Sequence, residues 1–169
     1  MFKSVDLHYD FEKLLSLYES NFSKMNQVHV SSPDGTLYEM PSGDLRTSEY
    51  KQTDFTVINS YFKNSYVEEV YKDLDSKYNI CRGRFMKLDS AIRAYSYHQD
   101  RTPRIHIPLK TNSDCFFYIN NQVVKMPTLG QTYLLNTTCK HSAINLSWED
   151  RIHFVVCFKK PDLSLFDEK

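Results

Sequence analysis

The hydrophobic period of this chain changes once, near residue 79, and that change limits what the chain can fold into. Before it, apolar residues recur at helical spacing. Phe11, Leu14, Leu15, Tyr18 and Phe22 follow Asp10, a residue type that caps helix N-termini. Asp54 to Phe62 places Phe55, Ile58 and Phe62 on one helical face. A third segment opens with Ser65-Tyr66-Val67-Glu68, a capping-box pattern, and carries Val67, Val70, Tyr71, Leu74 and Tyr78 along one side. Between the first two segments, Val28 to Ser48 contains the turn signal Pro33-Asp34-Gly35, which suits a small hairpin. This stretch is long enough for a lid or substrate loop, and a plain surface excursion fits it equally well.

After residue 79 the period is two. Short runs follow at regular intervals: Arg84–Leu88, Ile92–His98, Arg104–Leu109, Cys115–Ile119, Gln122–Met126, Thr132–Leu135, His141–Leu146 and Arg151–Phe158. Turn-prone pairs such as Asn120-Asn121 and Leu129-Gly130 separate them. Eight short strands at this spacing predict a mainly β fold, a double-stranded β-helix (jelly roll) over residues 83–158. The mostly helical residues 1–80 would support one sheet. The 169 residues fit one domain. Twelve Tyr and eleven Phe against four Gly suit a core filled with large flat side chains.

Charge narrows the partners. Lys plus Arg equals Asp plus Glu, so no basic excess points to nucleic acid or to a membrane surface. No apolar run approaches a membrane span, and the charged start has no secretory h-region. Cys81, Cys115, Cys139 and Cys157 form no CxxC pair, which suits reduced, buried thiols and a cytoplasmic location.

The chemistry concentrates in the second half. His98-Gln99-Asp100 puts an imidazole and a carboxylate on one side of an extended segment. His141 opens a later strand that can cross the same cavity. Two imidazoles and one carboxylate on one face of a metal leave positions open, the arrangement of non-haem iron(II) oxygenases. Each residue alone is ordinary: His98 suits a surface turn and His141 a satisfied core histidine. Arg151 opens a strand whose apolar set is Ile152, Phe154, Val156 and Phe158, so Arg151 and His153 take the opposite, inward face. A buried guanidinium needs an anion, and no acidic residue of the strands obviously supplies one, so a small dicarboxylate would satisfy it. Arg104-Ile105-His106-Ile107-Pro108-Leu109 repeats the pattern. Arg104 and His106 either face a cosubstrate or substrate, or serve as an edge salt bridge and a core hydrogen bond.

Taken together, Tyr97-His98-Gln99-Asp100, Arg104-Ile105-His106-Ile107-Pro108-Leu109, His141-Ser142-Ala143-Ile144-Asn145 and Arg151-Ile152-His153-Phe154-Val155-Val156 resemble the aspartyl/asparaginyl β-hydroxylase family, which also contains free-proline hydroxylases. The resemblance covers roughly residues 83 to 158, and the ten-residue step from His141 to Arg151 is distinctive. It implies Fe(II) held by His98, Asp100 and His141, and 2-oxoglutarate held through its 5-carboxylate by Arg151, with Arg104 and His106 near the cosubstrate or substrate. It also implies O2 as oxidant and hydroxylation of an amino acid, peptide side chain or small metabolite, with succinate as coproduct. Peptide-directed members of the family lack the carboxylate ligand, so Asp100 places the chain nearer the proline-hydroxylase-like branch. Two other readings compete: another cupin-type metalloenzyme (dioxygenase or isomerase), which needs no dicarboxylate clamp, and a non-catalytic jelly-roll binding module, which should have lost a ligand.

Overall fold

The computed structural model describes residues 1–37, 45 and 48–167. Helix α1, Phe11–Phe22, starts where Asp10 accepts a hydrogen bond from the Lys13 backbone N–H at 3.1 Å. It buries Leu14, Tyr18 and Phe22. Helix α2, Tyr66–Tyr78, buries Val67, Val70, Tyr71 and Leu74. Its expected capping box does not form. Ser65 donates to the Phe62 carbonyl instead, and Glu68 accepts from the Asn64 N–H one residue upstream of the cap. Asn79, at φ 51°, ends α2 in the left-handed conformation, and a strand begins at the next residue. This is the point at which the hydrophobic period changes.

The strands form two principal antiparallel sheets. Six strands lie in the order β1 (Phe2–His8), β9 (Gln131–Leu135), β6 (Arg104–Lys110), β11 (Arg151–Phe158), β5 (Ile80–Leu88) and β2 (Gln27–His29). Three lie in the order β10 (His141–Asn145), β7 (Cys115–Ile119) and β8 (Gln122–Val124). Asn120 and Asn121, both at positive φ, make the tight β7–β8 turn. Two cores result. Ile105, Ile107, Phe154 and Val156 face the helices with Leu14, Tyr18, Val70 and Leu74. Leu88, Phe117, Ile119, Tyr133, Leu135 and Ala143 pack between the sheets. This is the expected mainly β jelly roll with helices on one sheet.

Four local expectations need correction. Residues 54–62 are not a helix: short 3-10 turns at Gln52–Asp54 and Ser60–Phe62 flank strand β4, Val57–Ile58. The β-branched run Thr56-Val57-Ile58 favours extension, and the Asn59 side chain accepts from the Tyr61 N–H to start a new turn. Phe55, Ile58 and Phe62 are still buried, so the apolar side is as expected and the period is not. No hairpin forms around Pro33-Asp34-Gly35, because strand β3, Ser31–Ser32, pairs with β4. Ile92–His98 is not a strand; its backbone pairs with β10 at the isolated bridges Ala94–Ile144 and His98–His141. Asp89 accepts from the Ala91 and Ile92 N–H groups and coils the chain there. Finally, β1 is a strand that the hydrophobic pattern does not signal, because a register shift between Ser4 and His8 breaks its alternation.

All four cysteines are free, three buried and Cys139 partly exposed. Among the described residues, no helix is long and apolar enough to cross a membrane.

Candidate metal centre and cosubstrate cavity

The metal-ligand candidates meet because two loop ends are stitched to one strand. The His98 N–H donates to the His141 carbonyl at 3.0 Å, and the His141 N–H returns the bond at 2.8 Å. The Asp100 N–H donates to the Thr137 carbonyl at 2.9 Å. The ligand atoms of His98, Asp100 and His141 then lie within 4.8 Å of one another. His98 Nε2 is 3.6 Å from Asp100 Oδ1, and His141 Nε2 is 3.4 Å from Oδ2.

Local carbonyls set the tautomers. His98 Nδ1 lies 2.6 Å from the Ser96 carbonyl and His141 Nδ1 lies 3.0 Å from the Cys139 carbonyl. A carbonyl only accepts, so each Nδ1 carries the proton and each Nε2 lone pair is left for an ion. Asp100 Oδ2 is buried without a hydrogen-bond donor. Two imidazole nitrogens and an unsatisfied carboxylate oxygen converging on one point fit a divalent first-row metal.

The electrostatics agree with ligand duty. Burial alone would raise the Asp100 pKa, but the paired Arg104 guanidinium and His98 overcome it and hold the carboxyl below the usual range. Burial lowers the His141 pKa and favours the neutral imidazole that binds metals. At His98 the Asp100 carboxylate outweighs desolvation and raises the pKa.

Beside the triad opens a cavity of about 840 Å³, lined in part by Arg104, His106, Phe117 and Arg151. Arg151 is only 3% exposed. Its Nη2 donates to His153 Nδ1 at 2.9 Å, and its guanidinium lies over the Phe117 ring at 4.8 Å. No ion pair to Arg151 exists among the described residues. Burial pulls its pKa down to about 10, which leaves it charged at neutral pH. His106 is buried with both ring nitrogens unpartnered, and burial followed by Arg151 holds it neutral. The buried His153 Nε2 is unpartnered too. An unsatisfied buried polar atom costs on the order of 1–3 kcal/mol, so such a cluster points to a polar ligand.

The structure therefore brings His98, Asp100, His141, Arg104, His106 and Arg151 to one cavity. Arg104 is salt-bridged, to Asp100, so its guanidinium is partly committed. His106 makes no core hydrogen bond. Of the stretch 28–48, Val28 to Ser32 is buried in β2, β3 and the residue that joins them, and is no lid. Residues 38–44, 46 and 47 lie outside the described residues. Leu45 and the segment Ser48–Gln52 line the cavity, and nothing in the sequence pattern signals that for residues 49–52. Tyr95, Arg82 and Arg84 line the same space and are further residues that the motifs do not single out. A signal for the arginines does exist: two of them interrupt the apolar run Ile80-Cys81-Arg82-Gly83-Arg84-Phe85-Met86, all of it buried.

Known proteins bear on this geometry. The sequence model of the aspartyl/asparaginyl β-hydroxylase family matches residues 70–161. No curated protein matches the chain. Among solved structures, AviO1 from Streptomyces viridochromogenes Tue57 aligns at a TM-score of 0.55 with 11% identity, over 95% of this chain and 90% of its own. IDO from Bacillus thuringiensis aligns at 0.53 with 12% identity, over 95% and 90%. The viral collagen prolyl hydroxylase vCPH from Paramecium Bursaria Chlorella virus-1, solved as a 2OG complex, aligns at 0.52 with 12% identity, over 94% and 96%. At such identities these likenesses establish the shared fold. The sequence match is the stronger statement: it spans more than half of the residues and runs through His98, Asp100, His141 and Arg151, and the chain belongs to the aspartyl/asparaginyl β-hydroxylase family.

Proposed function

We propose that the protein is a non-haem iron(II), 2-oxoglutarate-dependent hydroxylase acting on an amino acid, a peptide side chain or a small metabolite. The observation that carries this reading is Arg151: a buried cation without a carboxylate partner among the described residues, in the same cavity as the His98–Asp100–His141 triad. Family membership supports it, and so does the fold shared with a hydroxylase solved as a 2OG complex.

His98 and His141 would offer Nε2, and Asp100 an oxygen, to Fe(II). Bound iron would supply the O2 chemistry that couples decarboxylation of 2-oxoglutarate to hydroxylation. Arg104 holds Asp100 ionised and oriented through Oδ1 and leaves Oδ2 toward His141. Arg151 grips the distal carboxylate of 2-oxoglutarate with the two-point geometry of a guanidinium. His106, neutral by burial, donates one ring N–H toward the same carboxylate. Phe117 stacks under the guanidinium and keeps water away, which strengthens the pair.

Thermal unfolding with Mn(II), with and without 2-oxoglutarate, tests the reading. Metal alone should stabilise the fold. 2-Oxoglutarate should add a further increment, about 2.7 kcal/mol at a hundred times its Kd, and only when metal is present. Metal stabilisation with no response to 2-oxoglutarate would favour another cupin-type metalloenzyme. A succinate-release screen over amino acids and peptides, with product mass measured, then identifies the substrate.

A further inference from the structure

Two cysteines that the proposed reaction does not use face each other across the central strands. In the β5–β11 pairing, Cys81 stands directly opposite Cys157, and Ile80 opposite Phe158. Ile80 and Phe158 belong to the core against the helices. Side chains alternate along a strand, so Cys81 and Cys157 share the other face, the one on which Val155 and Arg84 line the cavity. One extra β5 residue is taken up just beyond the pair, where Arg82 has φ 51°, and the register is regular again at Cys81 and Cys157. Directly opposed residues of antiparallel strands have Cα atoms about 4.5–5.5 Å apart. A disulfide spans about 4.4–6.8 Å between Cα atoms. The backbone therefore already sets the two thiols, both free, at a spacing that a disulfide bridges. The other two cysteines are not so placed: Cys115 stands opposite Asn145, and Cys139 lies outside the strands.

The two sulfurs are not equivalent. Cys157 Sγ accepts from Arg84 Nη2 at 3.8 Å, and on its other side Cys157 stands opposite Arg104. A sulfur among guanidinium groups is the one set up to attack. Burial pushes the Cys81 thiol up to about 12, so Cys81 keeps its proton and suits the resolving role. Both residues are fully buried, but Arg84, which touches Cys157, is itself a wall of the cavity. An oxidant the size of water has one side chain to pass.

We propose that Cys81 and Cys157 are a peroxide-sensitive thiol pair that closes to a disulfide and ties β5 to β11 behind the cavity. The Cys157 sulfur attacks one oxygen of hydrogen peroxide, the O–O bond breaks, and the departing hydroxide leaves as water with the Cys157 proton. The Cys81 sulfur then attacks the Cys157 sulfenic acid. The S–S bond forms, the S–O bond breaks, and a second water leaves with the Cys81 proton. The pair gives up two electrons, and the peroxide is reduced to water. Nothing in this inference depends on the 2-oxoglutarate reading.

The test uses the full chain, reduced and freed of metal by a chelator so that metal-driven oxidation plays no part. Hydrogen peroxide is added, free thiols are alkylated under denaturing conditions, and digested peptides are mapped by mass spectrometry. The peptides of Cys81 and Cys157 should appear joined and lighter by two hydrogens. Oxidation should also raise the midpoint of thermal unfolding by on the order of 10 °C, because the bond closes a long loop without moving the strands. Dithiothreitol should reverse both changes. Cys115→Ser with Cys139→Ser should keep both, and Cys81→Ala or Cys157→Ala should abolish them. If the alanine variants do not fold, the peptide map of the Cys115→Ser, Cys139→Ser protein decides. Cys81 and Cys157 recovered alkylated after peroxide, Cys157 recovered as a sulfinic acid without a joined peptide, or joined peptides that run only through Cys139 would each overturn the inference. So would a disulfide that lowers the unfolding midpoint, since the strands would then not be spaced for it.

Discussion

Strand β11 has two faces, both buried and built on opposite rules. Ile152, Phe154, Val156 and Phe158 lie against the helices, with Phe154 5.4 Å from the Phe85 ring and Phe158 6.0 Å from Tyr78. All four side chains are buried in the core. On the other face stand Arg151 and His153, beside His106 and Arg84, with ring and guanidinium nitrogens that no described residue answers. The dry face explains why the chain folds. The wet face has buried polar atoms that weaken the fold and that the ligands proposed above would satisfy.

The largest effect should fall on the dry face. Phe154→Ala should lower stability by about 3–5 kcal/mol in chemical denaturation. A loss below about 1 kcal/mol would mean this face is not the core. On the wet face, Arg104→Gln should weaken Mn(II) binding by roughly ten- to a hundredfold in calorimetry, as loss of an orienting partner does. Unchanged affinity would make the Arg104–Asp100 pair incidental.

Acid should separate the two faces next. His106 and His153 have folded pKa values depressed well below the ordinary imidazole value. Below about pH 6.5 the unfolded chain takes up protons that these buried rings refuse, so stability falls as pH falls, by about 1.4 kcal/mol per pH unit for each ring. His141 contributes in the same direction. The stabilisation from His98, whose folded pKa is raised, is fully present below the ordinary imidazole value and is lost as pH rises through the folded pKa, so it does not mask the slope. Urea denaturation of metal-free His106→Phe across pH 5 to 6.5 should show a shallower slope than wild type. An unchanged slope would mean that His106 is not held neutral by burial.

The smallest effect has the most telling sign. Arg151→Met should leave stability unchanged or raise it by about 1 kcal/mol, because it removes a buried charge that no acid among the described residues pairs. Clear destabilisation would show that Arg151 serves the fold.

What is legible in the sequence follows the same division. The alternation Arg151-Ile152-His153-Phe154 that opens β11 marks both the dry side of the strand and the inward turn of Arg151. His98-x-Asp100 and His141 are legible because period-two spacing is local, and the structure brings them together. The Ser96 and Cys139 carbonyls that fix the two tautomers are not legible, since they depend on the course of an irregular loop. Thr56-Val57-Ile58 misleads because three apolar side chains at 55, 58 and 62 satisfy a helical template while the backbone between them is extended. Arg84 carries a faint signal, as a cation inside an apolar run, but its place in the cavity depends on which strands flank β5, a property of topology.

On the proposed function, Arg151 holds a dicarboxylate. Uncoupled 2-oxoglutarate turnover against cosubstrate concentration, with iron content measured alongside, tests it most directly. Charge-assisted hydrogen bonds are worth about 1.5–3 kcal/mol each, so Arg151→Ala should raise the apparent KM for 2-oxoglutarate by roughly ten- to a thousandfold. Arg151→Lys should recover only part of this, since an ammonium lacks the planar fork. Iron content should be unchanged in both, because Arg151 is not among the converging metal-ligand atoms. A folded, iron-loaded Arg151→Ala protein with wild-type dependence on 2-oxoglutarate would contradict the account.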